Sequence, residues 1–304
     1  MDNLRGAMLM VVAMLGFAIE DTLIKIMADD LPSGQILMML GVGGAAVFSI
    51  IAILTGQAPM RLSMFRGASG VRAVAEGIAA LGFVSALALV PISLVTTIIQ
   101  ASPIMVTLGA ALFFKESVGW RRWLAIIIGL IGVLIVLRPF GTSFDPLALL
   151  AVIGVTAMSA RDLATRQITQ NISTVQLSAI GFLATIPAGA LGLVLAGAEL
   201  VMPDLRVIGL WALAILVGVP ALYCIIAAMR IGDISFVTPF RYTRIVFGLL
   251  AGLIVFDETL DAYTLIGAAI IVASGIYTLL REARLRRRAQ RAKPTPNDIP
   301  LPLT

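Results

Sequence analysis

Two arginines, Arg241 and Arg244, stand within DISFVTPFRYTRIVFGLLAGLIVFDE, which starts at Asp233 and is otherwise long and apolar enough to cross a bilayer. A guanidinium at that depth costs several kcal/mol unless it faces water or a partner. It also offers planar, paired donors suited to a carboxylate, a phosphate or an imide-like acceptor. Arg241 and Arg244 are three residues apart, so on a continuous helix they share a stripe with Thr238, Gly248 and Gly252, with Phe240 and Phe247 turned elsewhere. Pro239 removes a backbone donor just before the pair and frees a carbonyl at that level.

Eight further ionisable groups lie within apolar segments. Asp21 with Lys25, Arg72 with Glu76, and Asp162 with Arg166 are each spaced four apart, which puts the partners on one helix face and predicts internal neutralisation. Glu20 and Arg161, like Arg241 and Arg244, have no such local partner. Two readings of the lone arginines compete at this stage. Either they form the basic wall of a solute cavity, or they bond to Glu20, Glu76 or Asp162 across the bundle and hold it together. Glu20 has a separate possibility open to it, since a carboxyl group at this depth can take a proton in one transport step and release it in the next. Gln100, followed by Ser102 and Pro103, can both donate and accept, and with Tyr242 it completes the cavity candidates.

These groups must be positioned by membrane helices. Of 304 residues, 60% are hydrophobic and 13% charged, with a mean hydropathy of +1.03. Such a composition specifies an all-α integral membrane protein. Ten apolar segments fall at roughly 5–28, 33–55, 70–90, 92–114, 120–138, 147–168, 174–196, 206–229, 234–256 and 262–281. Arg5, Arg61, Arg66, Lys115, Arg121, Arg122, Arg166, Arg230 and the tail from Arg281 fall on one face, which predicts that both termini are cytoplasmic. The other face carries Asp29, Asp30, Asp145, Glu199, Asp204, Asp257, Glu258 and Asp261. The N-terminus, with no small-residue cleavage site before its apolar run, reads as a retained first helix in the cytoplasmic membrane.

With no histidine and one cysteine, Cys224, the chain offers no ordinary zinc site, disulfide or Cys–His nucleophile, and no P-loop occurs. No metal or cofactor is implied. The expected partners are a small organic solute and the lipid bilayer, with no nucleic acid. Trp120, Trp123 and Trp211 fall near segment ends and read as interfacial residues. Gly248/Gly252 and Gly267/Ser274/Gly275 read as close helix packing.

The chain repeats itself. AIEDTLIKIM from Ala18 aligns with SARDLATRQI from Ser159, placing Asp21 on Asp162 and Lys25 on Arg166 (162 − 21 = 141). ISLVT from Ile92 aligns with ISFVT from Ile234, and Lys115-Glu116 with Asp257-Glu258 (258 − 116 = 142). The halves are 1–140 and 141–281, followed by a basic, then proline-rich and disordered tail at 282–304. Five helices per half is odd, so the second half enters the membrane inverted.

With these motifs, and with the loops FFKESVGWRRWLAIIIGLIGV from Phe113 and VFDETLDAYTLIGAAIIVASG from Val255, the chain resembles the EamA-type, ten-helix members of the drug/metabolite transporter superfamily. The opening MDNLRGAMLMVVAMLGFAIEDTLIK also resembles a bacterial subgroup that includes proposed riboflavin importers. The resemblance implies a central cavity between the halves, lined by segments 1, 3, 4, 6, 8 and 9, and a secondary transporter of small metabolites working by alternating access. The arginine excess favours an anionic or zwitterionic solute such as an amino acid or flavin. The alternative is an intramembrane lipid-modifying enzyme using the buried acids and arginines, against which stands the lack of a nucleophile–base pair. A scaffold or sensor with no transported ligand would not need the inverted repeat.

Overall fold

The structure, a computed structural model, describes residues 2–57, 62–115, 119–139, 144–168, 172–231 and 234–291. Ten helical crossings follow one another, with no strand among the described residues. They are α1 (Asp2–Met27), α2 (Ser33–Leu54), α3 (Ala68–Leu89), α4 (Ile92–Ile99 and Ser102–Phe113), α5 (Trp120–Leu137) and α6 (Leu149–Arg166), then α7 (Thr174–Ala196), α8 (Leu205–Ile231), α9 (Ile234–Val237, a 3₁₀ turn Thr238–Tyr242, and Thr243–Val255) and α10 (Ala262–Arg291). The basic stretch after Arg281 continues α10 as helix to Arg291, and the proline-rich remainder of the tail lies outside the described residues.

The packing follows the repeat. α1 lies along α8 and α3 along α6, an arrangement that exchanges with itself when each helix is replaced by its partner five places on. α2 with α7, α4 with α9 and α5 with α10 are each self-paired under the same exchange. Ten transmembrane helices thus form two inverted five-helix repeats. Close approach needs residues without side chains: a Cβ on Gly34 of α2 would stand 2.5 Å from the Gly189 carbonyl oxygen of α7. A Cβ on Gly82 of α3 would stand 2.8 Å from the Leu150 carbonyl oxygen of α6.

The acids of the face away from the termini have a structural reason to be there. Helices α4, α6, α8 and α10 all begin at that face, and an N-terminus presents unsatisfied N–H groups and a positive dipole end. Asp145 accepts from Leu147 N–H (2.9 Å) in the turn leading into α6. Asp204 accepts from Val207 N–H (2.7 Å) and Asp261 from Thr264 N–H (2.8 Å). Glu258 reaches across from the second half to accept from Ile92 N–H (2.7 Å) and Ser93 N–H (3.1 Å), at the start of α4.

Candidate functional site

The two repeat-equivalent crossings α4 and α9 are both interrupted near the middle of the bundle, where a continuous ninth helix was expected. In α4 the chain tightens into 3₁₀-type bonds, Gln100 N–H to Thr97 O (3.3 Å) and Ala101 N–H to Ile98 O (3.0 Å). Pro103 then leaves the Ile99 carbonyl without its usual i+4 donor. In α9 Pro239 sits inside the 3₁₀ turn Thr238–Tyr242. The breaks touch each other, since Gln100 Nε2 donates to the backbone carbonyl of Arg241 (2.9 Å). That leaves Gln100 Oε1 as an acceptor. Interrupted crossings that meet at one level are the arrangement in which membrane carriers expose polar backbone to a solute.

A cavity of about 40 Å³ lies at this junction, lined by Gln100, Thr238, Arg241, Tyr242 and Arg244 together with Ile99, Ser102, Pro103, Met158 and Leu279. Five of the seven cavity candidates are therefore gathered in one place. Arg241 presents its guanidinium there without a hydrogen bond or ion pair to any described residue, and Asp162 is the acid whose charge acts on it. Tyr242 is 6% exposed and its hydroxyl, which has no hydrogen-bond partner among the described residues, is pressed against Gly275 of α10. Its phenol oxygen thus points into a helix seam, away from the open space. A volume of this size holds roughly two or three waters and is too small for an organic metabolite.

Arg244 shares that cavity wall but is already committed. Its Nε donates to Asp21 Oδ2 (3.1 Å) and its Nη2 to Asp21 Oδ1 (2.8 Å) and Oδ2 (2.7 Å), between the rings of Phe17 and Phe83 (5.3 and 5.5 Å from the guanidinium carbon). Asp21 is 2% exposed. The expected Asp21–Lys25 pair does not form. Lys25 lies within two residues of the end of α1, close enough to reach the C-terminal carbonyls of α3, and donates to Leu87 O (3.1 Å) and Val90 O (2.7 Å).

The second cluster joins α3 and α6. The expected Arg72–Glu76 pair is present at 3.6 Å. Arg161, which has no partner four residues away, binds Glu76 (3.0 Å) and its own neighbour Asp162 (2.8 Å). The expected Asp162–Arg166 pair is absent among the described residues, since Arg166 is the last residue of α6 and is exposed. Glu20 stands apart from both groups, lying against Gly218 of α8, where a Cβ would be 2.7 Å from either carboxylate oxygen. It has no hydrogen bond or ion pair among the described residues; Asp21 and Arg244 are the charges nearest in effect.

Other expectations resolve into packing. Gly248 and Gly252 face Thr96 and Glu258, where added Cβ atoms would meet side-chain atoms at 2.7 and 2.6 Å, so they belong to the α4 seam and not to a cavity stripe. Gly267 lies against Gly132 of α5, where an added Cβ would stand 2.8 Å from the Gly132 carbonyl oxygen. Trp120 is exposed, whereas Trp211 donates its indole N–H to Met39 O (2.9 Å) and ties α8 to α2. On the outer surface, an apolar groove of about 290 Å³ runs between α1 and α9 beside Ile19, Phe247 and Ile254.

The chain matches the EamA-like transporter family over residues 4–138. A riboflavin transporter of Rhizobium johnstonii is 31% identical over 214 residues, covering 69% of this chain and 70% of that protein. An S-adenosylmethionine uptake transporter of Rickettsia bellii is 24% identical over 198 residues, covering 65% and 67%. A solved structure described only as a crystal structure of a protein superimposes with a TM-score of 0.59 at 20% identity, over 92% of this chain and 98% of its own, a likeness of fold.

Proposed function

The chain belongs to the EamA-like transporter family, and from that premise we propose that it is a permease of the bacterial inner membrane, with both termini cytoplasmic, moving an anionic or hydrogen-bonding heterocyclic metabolite of flavin type by alternating access. The observation that carries the solute class is Arg241: an arginine lining the junction of two broken helices whose guanidinium has no hydrogen bond or ion pair among the described residues, with Arg244 beside it. An always-charged donor fork at that depth calls for an acceptor. Gln100 Oε1, next to it, accepts from a ring N–H, and together they suit the alternating carbonyl and N–H edge of an imide. The same positive wall disfavours a cationic solute such as a sulfonium. The names of the relatives, riboflavin and S-adenosylmethionine transporters, bracket these two choices.

Proton coupling belongs to the same proposal. Glu20, without a hydrogen-bond partner among the described residues, is the carboxyl group free to gain and lose a proton during the cycle. Uptake of labelled riboflavin and of labelled S-adenosylmethionine into proteoliposomes, with and without a pH gradient, tests the solute class and the proton coupling. Riboflavin transport that falls about tenfold or more in Arg241→Gln, the size of one lost charge-assisted contact, and becomes indifferent to the gradient in Glu20→Gln supports the reading. Saturable transport of the sulfonium with no flavin competition would overturn it.

A further inference from the structure

We infer that Glu258 is a positioning residue for transport: a cross-repeat latch by which the second half holds the N-terminal piece of α4, and with it the face away from the termini, closed. This rests on the alternating-access reading and adds the part that keeps one face shut.

The sequence builds the latch at the end of α9. Asp257 adopts a left-handed conformation (φ 49°), and the Glu258 N–H turns back to the Gly252 carbonyl (2.9 Å). Lys115, the repeat counterpart of Asp257, is likewise left-handed (φ 52°), so a left-handed residue at this point is common to both repeats. Gly252 leaves room for the glutamate, since a Cβ there would stand 2.6 Å from Oε2. The carboxylate then takes the Ile92 and Ser93 N–H groups, one on each oxygen. Two charge-assisted bonds to a helix N-terminus, made from the other half of the molecule, constitute a strong and breakable contact.

What Glu258 grips is the corner between α3 and α4. Pro91 sits between α3 and α4 and removes a backbone donor. Lys25 holds the α3 side of that corner through Leu87 O and Val90 O, and its charge also acts with that of Glu258. Beneath it Met27, Leu87, Ile92 and Val95 are all 0% exposed, forming a dry plug between the corner and the cavity. The piece of α4 so held, Ile92–Ile99, ends at the break that carries Gln100. Glu258 therefore sets both the seal and the position of one cavity wall. When the carboxylate lets go, the short helix swings on the Gln100–Ala101 break and the plug parts.

The test needs no substrate, so its failure is separate from that of the solute assignment. Cys224 is the chain's one cysteine. In a Cys224→Ser background, Thr97→Cys reports on the wall behind the plug, where Thr97 is 0% exposed, and Met158→Cys reports on the cavity. Labelling with a charged methanethiosulfonate is measured in right-side-out and inverted vesicles. Glu258→Ala, which removes both bonds, should raise labelling at Thr97→Cys from the face away from the termini about tenfold or more, the change in population that losing even one charge-assisted bond produces. It should lower labelling at Met158→Cys from the terminal face. Glu258→Gln, which keeps one acceptor oxygen, should move both rates the same way by less, and it replaces the alanine variant if that does not fold. Rates that rise at both positions, or at neither, overturn the latch: the first outcome is simple loosening and the second shows that Glu258 does not hold the face.

Discussion

Replacing Asp21 by asparagine should destabilise this protein far more than the removal of a salt bridge usually does. Arg244 makes three contacts of 2.7–3.1 Å to that one carboxylate. Asp21 is 2% exposed and the Arg244 side chain 16%, so water replaces little of what is lost. Asp21→Asn leaves a guanidinium buried between two phenylalanines with no carboxylate bonded to it, a change that costs about 3–5 kcal/mol. Arg244→Gln leaves the carboxylate in the same predicament. The double variant Asp21→Asn/Arg244→Gln buries two neutral amides instead, and should return to within about 1 kcal/mol of the parent, so that the two single losses do not add. Arg244→Lys keeps the charge but loses the fork, for a loss of about 1–2 kcal/mol. Equilibrium unfolding in mixed dodecyl sulfate and maltoside micelles, followed by tryptophan fluorescence, measures all four. If Asp21→Asn costs less than about 1 kcal/mol, or if the double variant loses the sum of the single losses, the pair does not hold α1 to α9.

Gln100→Leu removes the bond between the two broken helices and should cost about 0.5–1.5 kcal/mol in the same unfolding assay, while flavin transport falls by more than that loss of stability explains. Gly34→Ala forces a Cβ to within 2.5 Å of the Gly189 carbonyl oxygen; the backbones must separate, for about 1–3 kcal/mol, read as a lowered Tm. Tyr242→Phe deletes a buried hydroxyl without a partner, and is expected to be neutral or stabilising by about 1 kcal/mol in thermal unfolding. Asp261, outside the membrane at the start of α10, has burial raising its pKa, but the Thr264 N–H, the Arg138 bond and the Thr264 hydroxyl outweigh that and hold it below the usual carboxylate range. Its contribution is therefore complete above the ordinary aspartate pKa of about 3.9 and disappears as the pH falls through the depressed value. Half exposure keeps it under about 1 kcal/mol, so Asp261→Ala should lower Tm at pH 7 and merge with the parent curve in strong acid.

The ten crossings were legible because lipid enforces the pattern: a stretch of about 20 apolar residues has few alternatives. Their observed ends fall within a few residues of the expected ones, apart from α10, whose basic extension is helical beyond the membrane. The gathering of Gln100, Thr238, Arg241, Tyr242 and Arg244 was also within reach, since prolines at 103 and 239 mark repeat-equivalent breaks. Charge partners were another matter. An i,i+4 spacing states only that two side chains can meet, and Lys25 had a better offer in the bare carbonyls ending α3. Once Lys25 is taken away, Asp21 needs a cation from another helix, and no sequence spacing says that it comes from 223 residues downstream. The cue that was available is position: a lysine two residues from a helix end is poorly placed to neutralise an acid a turn deeper.

The repeat itself accounts for the lopsided charge of the cavity. Asp21 and Asp162 are equivalent, and Arg244 is equivalent to Ser102 (244 − 142 = 102). If the halves were true copies, Asp162 would clasp an arginine at position 102 as Asp21 clasps Arg244. Ser102 offers no charge; instead its carbonyl accepts weakly from Ser159 (3.4 Å). Asp162 is left to Arg161 on its own helix and to the field of Arg241, whose counterpart in the first half is Ile99 (241 − 142 = 99). Substituting one arginine out and another in has moved a cation from a closed pair to an open wall. The departures from the repeat's symmetry, Ser102 and Arg241, leave a guanidinium near the junction of the broken helices with no hydrogen bond or ion pair to a described residue, and the proposed solute assignment rests on that.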